Sequence, residues 1–147
     1  MDGSIKIEFL DDDNFIIYYI SDSLFRTEEE FKTFFKLLNR ELELRYDYEF
    51  EGFYEVIIYY SDNVYILNFK LIDDFGTRDF DITMFLNSTI LYEFEDMDLF
   101  DCDMVYYKEK FYTEIKNVAS DIRLFEYGRV VYGKEVDDII RQGMIIK

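Results

Sequence analysis

The chain has 147 residues, of which 33 are acidic and 16 are basic, and it contains one cysteine and no histidine. Without histidine, Ser-His-Asp and Cys-His catalysis and histidine-ligated zinc are excluded, and a single cysteine excludes thiolate clusters and an intramolecular disulfide. Half of the residues are apolar and a fifth are aromatic, so we expect a packed core rather than a disordered acidic chain.

The first predicted elements are two strands in residues 5–20, where apolar and polar side chains alternate around a turn at residues 11–14. A helix is predicted over residues 28–45, because Thr27 and Glu30 have the spacing of a capping box. The apolar residues that follow have the spacing of one buried helix face: Phe31, Phe34, Phe35, Leu38 and Leu42.

Residues 53–72 predict a hairpin, because two strand-like runs meet at residues 61–63, which tolerate the geometry of a turn. A segment with weaker signals follows. It has a bend at Gly76 and a short strand that begins near Asp81. We interpret this segment as the boundary between two halves of the chain.

The second half is predicted to begin with a strand in residues 88–96 and to continue with a hairpin in residues 104–115. Residues 122–127 are either a short helix or a strand, because they have a capping residue before them but are rich in aromatic side chains. A C-terminal helix is predicted over residues 134–142 and ends at Gly143.

The order of these elements predicts an α+β fold that is mainly antiparallel sheet, with one long amphipathic helix at about residues 28–45 and one or two short C-terminal helices. We expect a single compact domain over residues 1–147, or two small α+β halves at about residues 1–75 and 81–147. The N-terminus lacks the pattern of a signal peptide, and no apolar run reaches the ~18 residues of a membrane span. We therefore expect a cytoplasmic protein that does not bind membranes.

Residues 93–103, EFEDMDLFDCD, hold six carboxylates, no basic residue and the only cysteine, Cys102. These carboxylates are the candidate partner-binding residues: Glu93, Glu95, Asp96, Asp98, Asp101 and Asp103. A calcium loop of the EF-hand type that began at Asp96 would need glycine at its sixth position and glutamate at its twelfth, where this chain has Asp101 and Tyr107. A looser magnesium or calcium site is the weaker alternative. No glycine-rich phosphate-binding motif occurs, so we predict no cofactor, no metal and no enzymatic activity.

The acidic excess is confined to the first part of the chain. Residues 1–103 hold 26 acidic and 8 basic side chains, and residues 104–147 hold 7 and 8. Such a field repels nucleic acid and anionic membranes and attracts basic proteins. One interpretation is a solvated outer face that keeps the protein soluble. The other is a binding face whose carboxylates imitate phosphates and engage a basic nucleic-acid-binding protein or nuclease, as phage-borne inhibitors and nuclease immunity proteins do.

Several short stretches of the chain follow one another in an order that is found in a known family. They are IKIEFLDDDNFIIYYIS (residues 5–21), EGFYE (51–55), YEFED (92–96), VYYKEKFY (105–112) and LFEYG (124–128). In this order the chain resembles the MecA-type adaptor proteins of Gram-positive bacteria. The resemblance implies a non-enzymatic adaptor that links a substrate to a Clp-type ATPase. Only residues 97–104 separate the third stretch from the fourth, which leaves no room for the long helix that the family has there.

Overall fold

The computed structural model describes residues 4–21, 25–47, 51–74, 79–118, 125 and 128–146. Within these residues, the helices are α1 (Glu28–Tyr46), α2 (Lys134–Gln142) and the short 3-10 helices Met97–Leu99 and Ile115–Asn117. The strands are β1 (Ser4–Phe9), β2 (Asn14–Ile20), β3 (Phe53–Ser61), β4 (Val64–Asp73), β5 (Asp79–Phe85), β6 (Leu91–Phe94), β7 (Met104–Tyr107), β8 (Lys110–Glu114), β9 (Arg129–Val131) and β10 (Met144–Ile146).

The first sheet contains the first five strands in the order β1-β2-β4-β3-β5, and only the β3–β5 pair is parallel. The β3–β4 hairpin turns at Asp62 and Asn63, whose φ angles are 49° and 68°, as a type I′ turn requires. At the β1–β2 turn, the Asp11 carboxylate accepts the backbone N–H groups of Asp13 and Asn14, each at 2.8 Å. In both turns, the residues of the turn itself therefore stabilise its conformation.

Helix α1 covers one face of the first sheet. It begins where the Thr27 hydroxyl accepts the Glu30 N–H at 3.1 Å and ends at Asp47, which adopts the left-handed conformation with φ 52°. The apolar face predicted from the sequence is buried against the sheet, with exposures of 9% or less: Phe31, Phe34, Phe35, Leu38 and Leu42. Burial of this face stabilises the helix, because most of the stability of protein helices comes from tertiary packing of an amphipathic face.

The second sheet contains the last five strands in the order β10-β7-β8-β6-β9, with every neighbouring pair antiparallel. Its inner face packs on the face of the first sheet that α1 leaves open. The core between the two sheets includes Ile16, Tyr18, Val64, Ile66, Ile90, Tyr92, Phe94 and Met104. Helix α2 covers the outer face of the second sheet through Val136 and Ile139. The order of layers is therefore α1, first sheet, second sheet, α2.

Polar contacts also join the first sheet to the second half of the chain. The Tyr132 hydroxyl donates a hydrogen bond to the Asn68 side-chain oxygen at 2.8 Å, and Lys6 Nζ donates to the Phe125 carbonyl at 3.2 Å. Burial raises the pKa of Tyr132, so its hydroxyl stays protonated and able to donate. Each bond therefore holds together two parts of the chain that lie more than 60 positions apart.

The predicted α+β fold is confirmed, with mostly antiparallel sheets, a long helix that ends one residue later than predicted, and the C-terminal helix at the predicted residues. The strand predicted near Asp81 is β5, and it joins the first sheet, so the chain passes between sheets in residues 86–90. The division into one domain or two halves stays a prediction. Strands β9 and β10 were not predicted from the sequence.

Two sequence predictions lie outside the described residues. They are the bend at Gly76 and most of the short helix or strand at residues 122–127, of which Phe125 is described and is helical. In the described ranges, no helix combines the length and apolar character needed to cross a bilayer.

Candidate functional site

The acidic stretch covers the end of β6 and the whole connection to β7. Both strands run antiparallel to β8, which lies between them. They are therefore parallel to each other, and the connection must return along the length of the sheet. It starts where Glu95 forms an ion pair with Lys110 and ends where the Thr113 hydroxyl donates to the Asp103 carbonyl at 2.9 Å. We call residues 95–103 the acidic crossover.

Aromatic packing and a capping carboxylate hold the backbone of the acidic crossover in place. The Phe100 ring packs edge-on against Phe94, with centroids 5.0 Å apart, and against Tyr92, with centroids 6.0 Å apart. The Asp96 carboxylate accepts the Asp98 N–H at 3.0 Å and caps the short 3-10 helix. The carboxylates of this segment are therefore presented from an anchored backbone rather than from a free loop.

Glu93 differs from the other candidate carboxylates, because it projects from the opposite face of β6 to Phe94. It accepts a hydrogen bond from the Tyr112 hydroxyl at 2.8 Å and two from the Arg129 guanidinium, at 2.7 and 3.2 Å. Arg129 also pairs with Glu135 of α2 at 2.7 Å. Burial opposes ionisation of Glu93, but the hydrogen bonds from Arg129 and Tyr112 outweigh it and hold the pKa of Glu93 below its ordinary value. Glu93 therefore joins three strands to α2 within the molecule.

The other five candidate carboxylates reach solvent. Four of them are exposed and, within the described ranges, form no ion pair: Asp96, Asp98, Asp101 and Asp103. Glu95 pairs with Lys110, but its side chain is 79% exposed, and exposed pairs of this kind contribute little and exchange readily with other charges. The structure thus places five exposed carboxylates along the acidic crossover and assigns Glu93 to a different face.

A metal site in the acidic crossover would need several ligating side chains that converge on one point. In the part of the chain that the structure describes, no three Asp, Glu or Cys side chains are grouped as a metal ion would require. Cys102 is half-buried, and its Sγ lies 3.3 Å from the Thr113 hydroxyl oxygen. The thiol therefore contributes to the anchoring of the crossover at its β7 end.

A second acidic region, which sequence reasoning treated as separate turns, forms at one end of the first sheet. Four described segments meet there, because the Asp13 carbonyl accepts the Leu71 N–H at 2.7 Å, the Gly52 carbonyl accepts the Asp79 N–H at 3.1 Å, and Phe53 is the strand partner of Asp73. The exposed carboxylates at this end are Asp11, Asp12, Asp13, Glu51, Asp73, Asp74 and Asp79. The sequence signal that could have found this region is the position of these acids just beyond the ends of predicted strands.

A groove of about 640 Å³ lies beside the β7 end of the acidic crossover, between α2, β10 and the second sheet. We call it the outer groove. Its apolar lining consists of Leu91, Met104, Val105, Tyr112, Ile140 and Ile145. The turn at Gly143 brings α2 and β10 to opposite sides of it. A side chain at this position would meet the Val105 side chain and, at 2.5 Å, the Ile139 carbonyl oxygen, so the close approach requires glycine.

No model of a known protein family matches the chain, and comparison with curated proteins and with solved structures finds no significant match. The function is therefore inferred from the geometry, charge and exposure of the chain's own residues.

Proposed function

We propose that the protein is a non-enzymatic, acidic interaction module that inhibits a basic protein by occupying its nucleic-acid-binding surface. The observation that carries this proposal is the anchored acidic crossover, on which Asp96, Asp98, Asp101 and Asp103 are exposed and without ion pairs among the described residues. A cytoplasmic location, together with the absence of membrane and direct nucleic-acid binding, belongs to the same proposal.

Carboxylates on an anchored backbone are suited to imitate phosphates. When a partner aligns its lysine and arginine side chains with these carboxylates, the acidic crossover loses little conformational entropy, because its backbone is already ordered. A net charge of −17 also steers basic proteins towards this chain and repels nucleic acid. The second acidic region, at the end of the first sheet, adds to the same field.

An adaptor is the second candidate function, in keeping with the resemblance to MecA-type proteins. In this case the protein would link a substrate to a Clp-type ATPase through apolar contacts. The observation that favours it is the outer groove, where Ile140 and Ile145 are 50% and 66% exposed. Binding through this surface alone would tolerate salt, since apolar contacts are not screened.

The triple substitution of Asp98, Asp101 and Asp103 by Asn tests the inhibitor proposal, because it removes three charges and keeps the shape of the side chains. The probe is a lysine-rich peptide, and the measurement is its association rate at about 20 mM and about 200 mM salt. At the lower salt concentration, we expect the variant to associate about tenfold more slowly than the wild type. We expect its melting temperature not to fall, because none of the three carboxylates forms an ion pair among the described residues.

The matched control replaces Asp12, Asp13 and Asp74 by Asn, which removes the same charge from the end of the first sheet. Its association rate should stay closer to that of the wild type. Equal slowing by both variants would mean that the peptide responds only to total charge. Unchanged rates in the crossover variant would contradict a binding role for the acidic crossover and would favour the adaptor.

A further inference from the structure

The outer groove leaves aliphatic side chains exposed between α2, β10 and the second sheet. Leu91 and Tyr112 on its floor are 3% and 4% exposed, whereas Ile140 and Ile145 on its sides are 50% and 66% exposed. Its volume of about 640 Å³ lies within the range of sites that enclose small ligands. The groove therefore has room for one or two large apolar side chains of another molecule.

The rim of this groove is acidic on the side of the acidic crossover. Asp103 lines the groove and Asp101 lies two residues before it, and neither forms an ion pair among the described residues. Lys116 also lines the groove, but its ammonium group pairs with Glu114 at 3.0 Å. The rim thus has a net negative charge and an apolar interior.

These charges decide which kind of molecule fits the groove. A second copy of this chain would bring its own charge of −17 against the acidic rim, and like charges oppose such an approach. A basic segment gains from the same rim, and an apolar residue within that segment gains from the interior. Apolar anchors in pockets that are surrounded by polar contacts commonly dominate the energy of protein interfaces.

We propose that the outer groove binds the apolar anchor of a basic peptide segment, whose lysine or arginine side chains contact Asp101 and Asp103. This inference rests on the proposed function and adds a docking mode to it. The acidic crossover attracts the partner from a distance, and the groove selects segments in which basic residues flank a large aliphatic or aromatic side chain.

Cys102 gives a direct measure of groove occupancy, because it lines the groove and is the only cysteine of the chain. The test compares a lysine-rich peptide that carries leucines with the same peptide carrying serines in their place. At about 200 mM salt, where charge attraction is screened, we expect the leucine peptide to bind about tenfold more tightly. We also expect it to slow the alkylation of Cys102 by a maleimide, which the serine peptide leaves unchanged.

Substitutions of exposed residues give a second measure that does not depend on the reactivity of the thiol. Ile140→Ser and Ile145→Ser should remove most of the difference in affinity between the two peptides. Leu44→Ser is the matched control, because Leu44 is an aliphatic residue of α1 that is 76% exposed and does not line the groove. This control should bind both peptides as the wild type does.

Three results would overturn the inference, and each has a different consequence for the proposed function. Equal affinities and equal alkylation rates with both peptides would contradict binding in the outer groove. They would not contradict the proposal that the acidic face binds a basic partner. Failure of both peptides to bind at about 20 mM salt would contradict the proposed function itself. Alkylation that slows as the protein alone is concentrated, together with a doubled mass in solution, would show that a second copy occupies the groove.

Discussion

At the level of single residues, neighbouring carboxylates of one acidic stretch have different environments. Glu93 is held by Tyr112 and Arg129, whereas Asp98 lies exposed on a 3-10 helix five residues later. The pKa values reflect this difference. That of Glu93 is lowered, and that of Tyr112 is raised to about 12 by burial and then by its bond to Glu93. The environment of each carboxylate therefore decides, residue by residue, whether it forms contacts within the fold or remains exposed.

Glu93→Gln is expected to destabilise the protein by about 1–2 kcal/mol at neutral pH, because it leaves the half-exposed Arg129 with a weaker partner. The pKa of Glu93 in the folded state lies below its ordinary value of 4.5, so its charge stabilises the fold above that value. The stabilisation is lost as the pH falls through the lower, folded-state pKa. Urea unfolding of both proteins between about pH 7 and pH 3 should show their difference shrinking at acidic pH.

Glu135→Gln is the control for this measurement, since Glu135 shares Arg129 but is half-exposed and should contribute less. A difference between wild type and Glu93→Gln that does not change with pH would show that packing, rather than ionisation, accounts for the effect.

At the level of secondary-structure elements, α1 is the part of the fold that local sequence determines most directly. Its cap, its acidic first turn and the spacing of its apolar residues all act within a few positions of one another. The β3–β4 hairpin is similar, because Asp62 and Asn63 adopt the positive φ angles of the turn themselves. By contrast, β9 and β10 have three residues each and depend on pairing with distant strands.

Phe35→Ala tests the buried face of α1. Phe35 is 1% exposed and packs against Phe80 and Phe69, so its removal should leave a cavity and lower the free energy of unfolding by about 3–5 kcal/mol. Leu37→Ala is the matched control on the same helix, because Leu37 is 50% exposed and should cost less than about 0.5 kcal/mol. Similar losses in urea unfolding for both variants would contradict the packing of α1 described above.

At the level of the whole molecule, burial of the core and repulsion among the charges have opposite effects on stability. The core between the two sheets draws on residues from β2, β4, β6 and β7, and burying it favours the compact state. The net charge of −17 favours expansion through repulsion among the carboxylates. The two acidic regions concentrate this repulsion at the acidic crossover and at one end of the first sheet.

Salt should therefore stabilise this protein. Raising sodium chloride from about 10 mM to about 150 mM shortens the screening length and should raise the melting temperature by a few degrees, because repulsion weakens. The same increase is expected with a chelator present, since the effect requires ionic strength and no particular cation. A melting temperature that falls with salt would mean that ion pairs such as Arg129 with Glu93 contribute more to stability than the repulsion costs.

The sequence by itself determined α1, the hairpins and the α+β class, because caps, turn residues and apolar periodicity act over short distances along the chain. It also identified the acidic stretch. Only the tertiary structure decided that Glu93 pairs with Arg129, 36 residues away, and that the acidic crossover returns along the second sheet. The outer groove likewise exists only where α2 and β10 meet residues near Leu91 and Val105. These features depend on contacts between distant positions, and local sequence patterns do not encode such contacts.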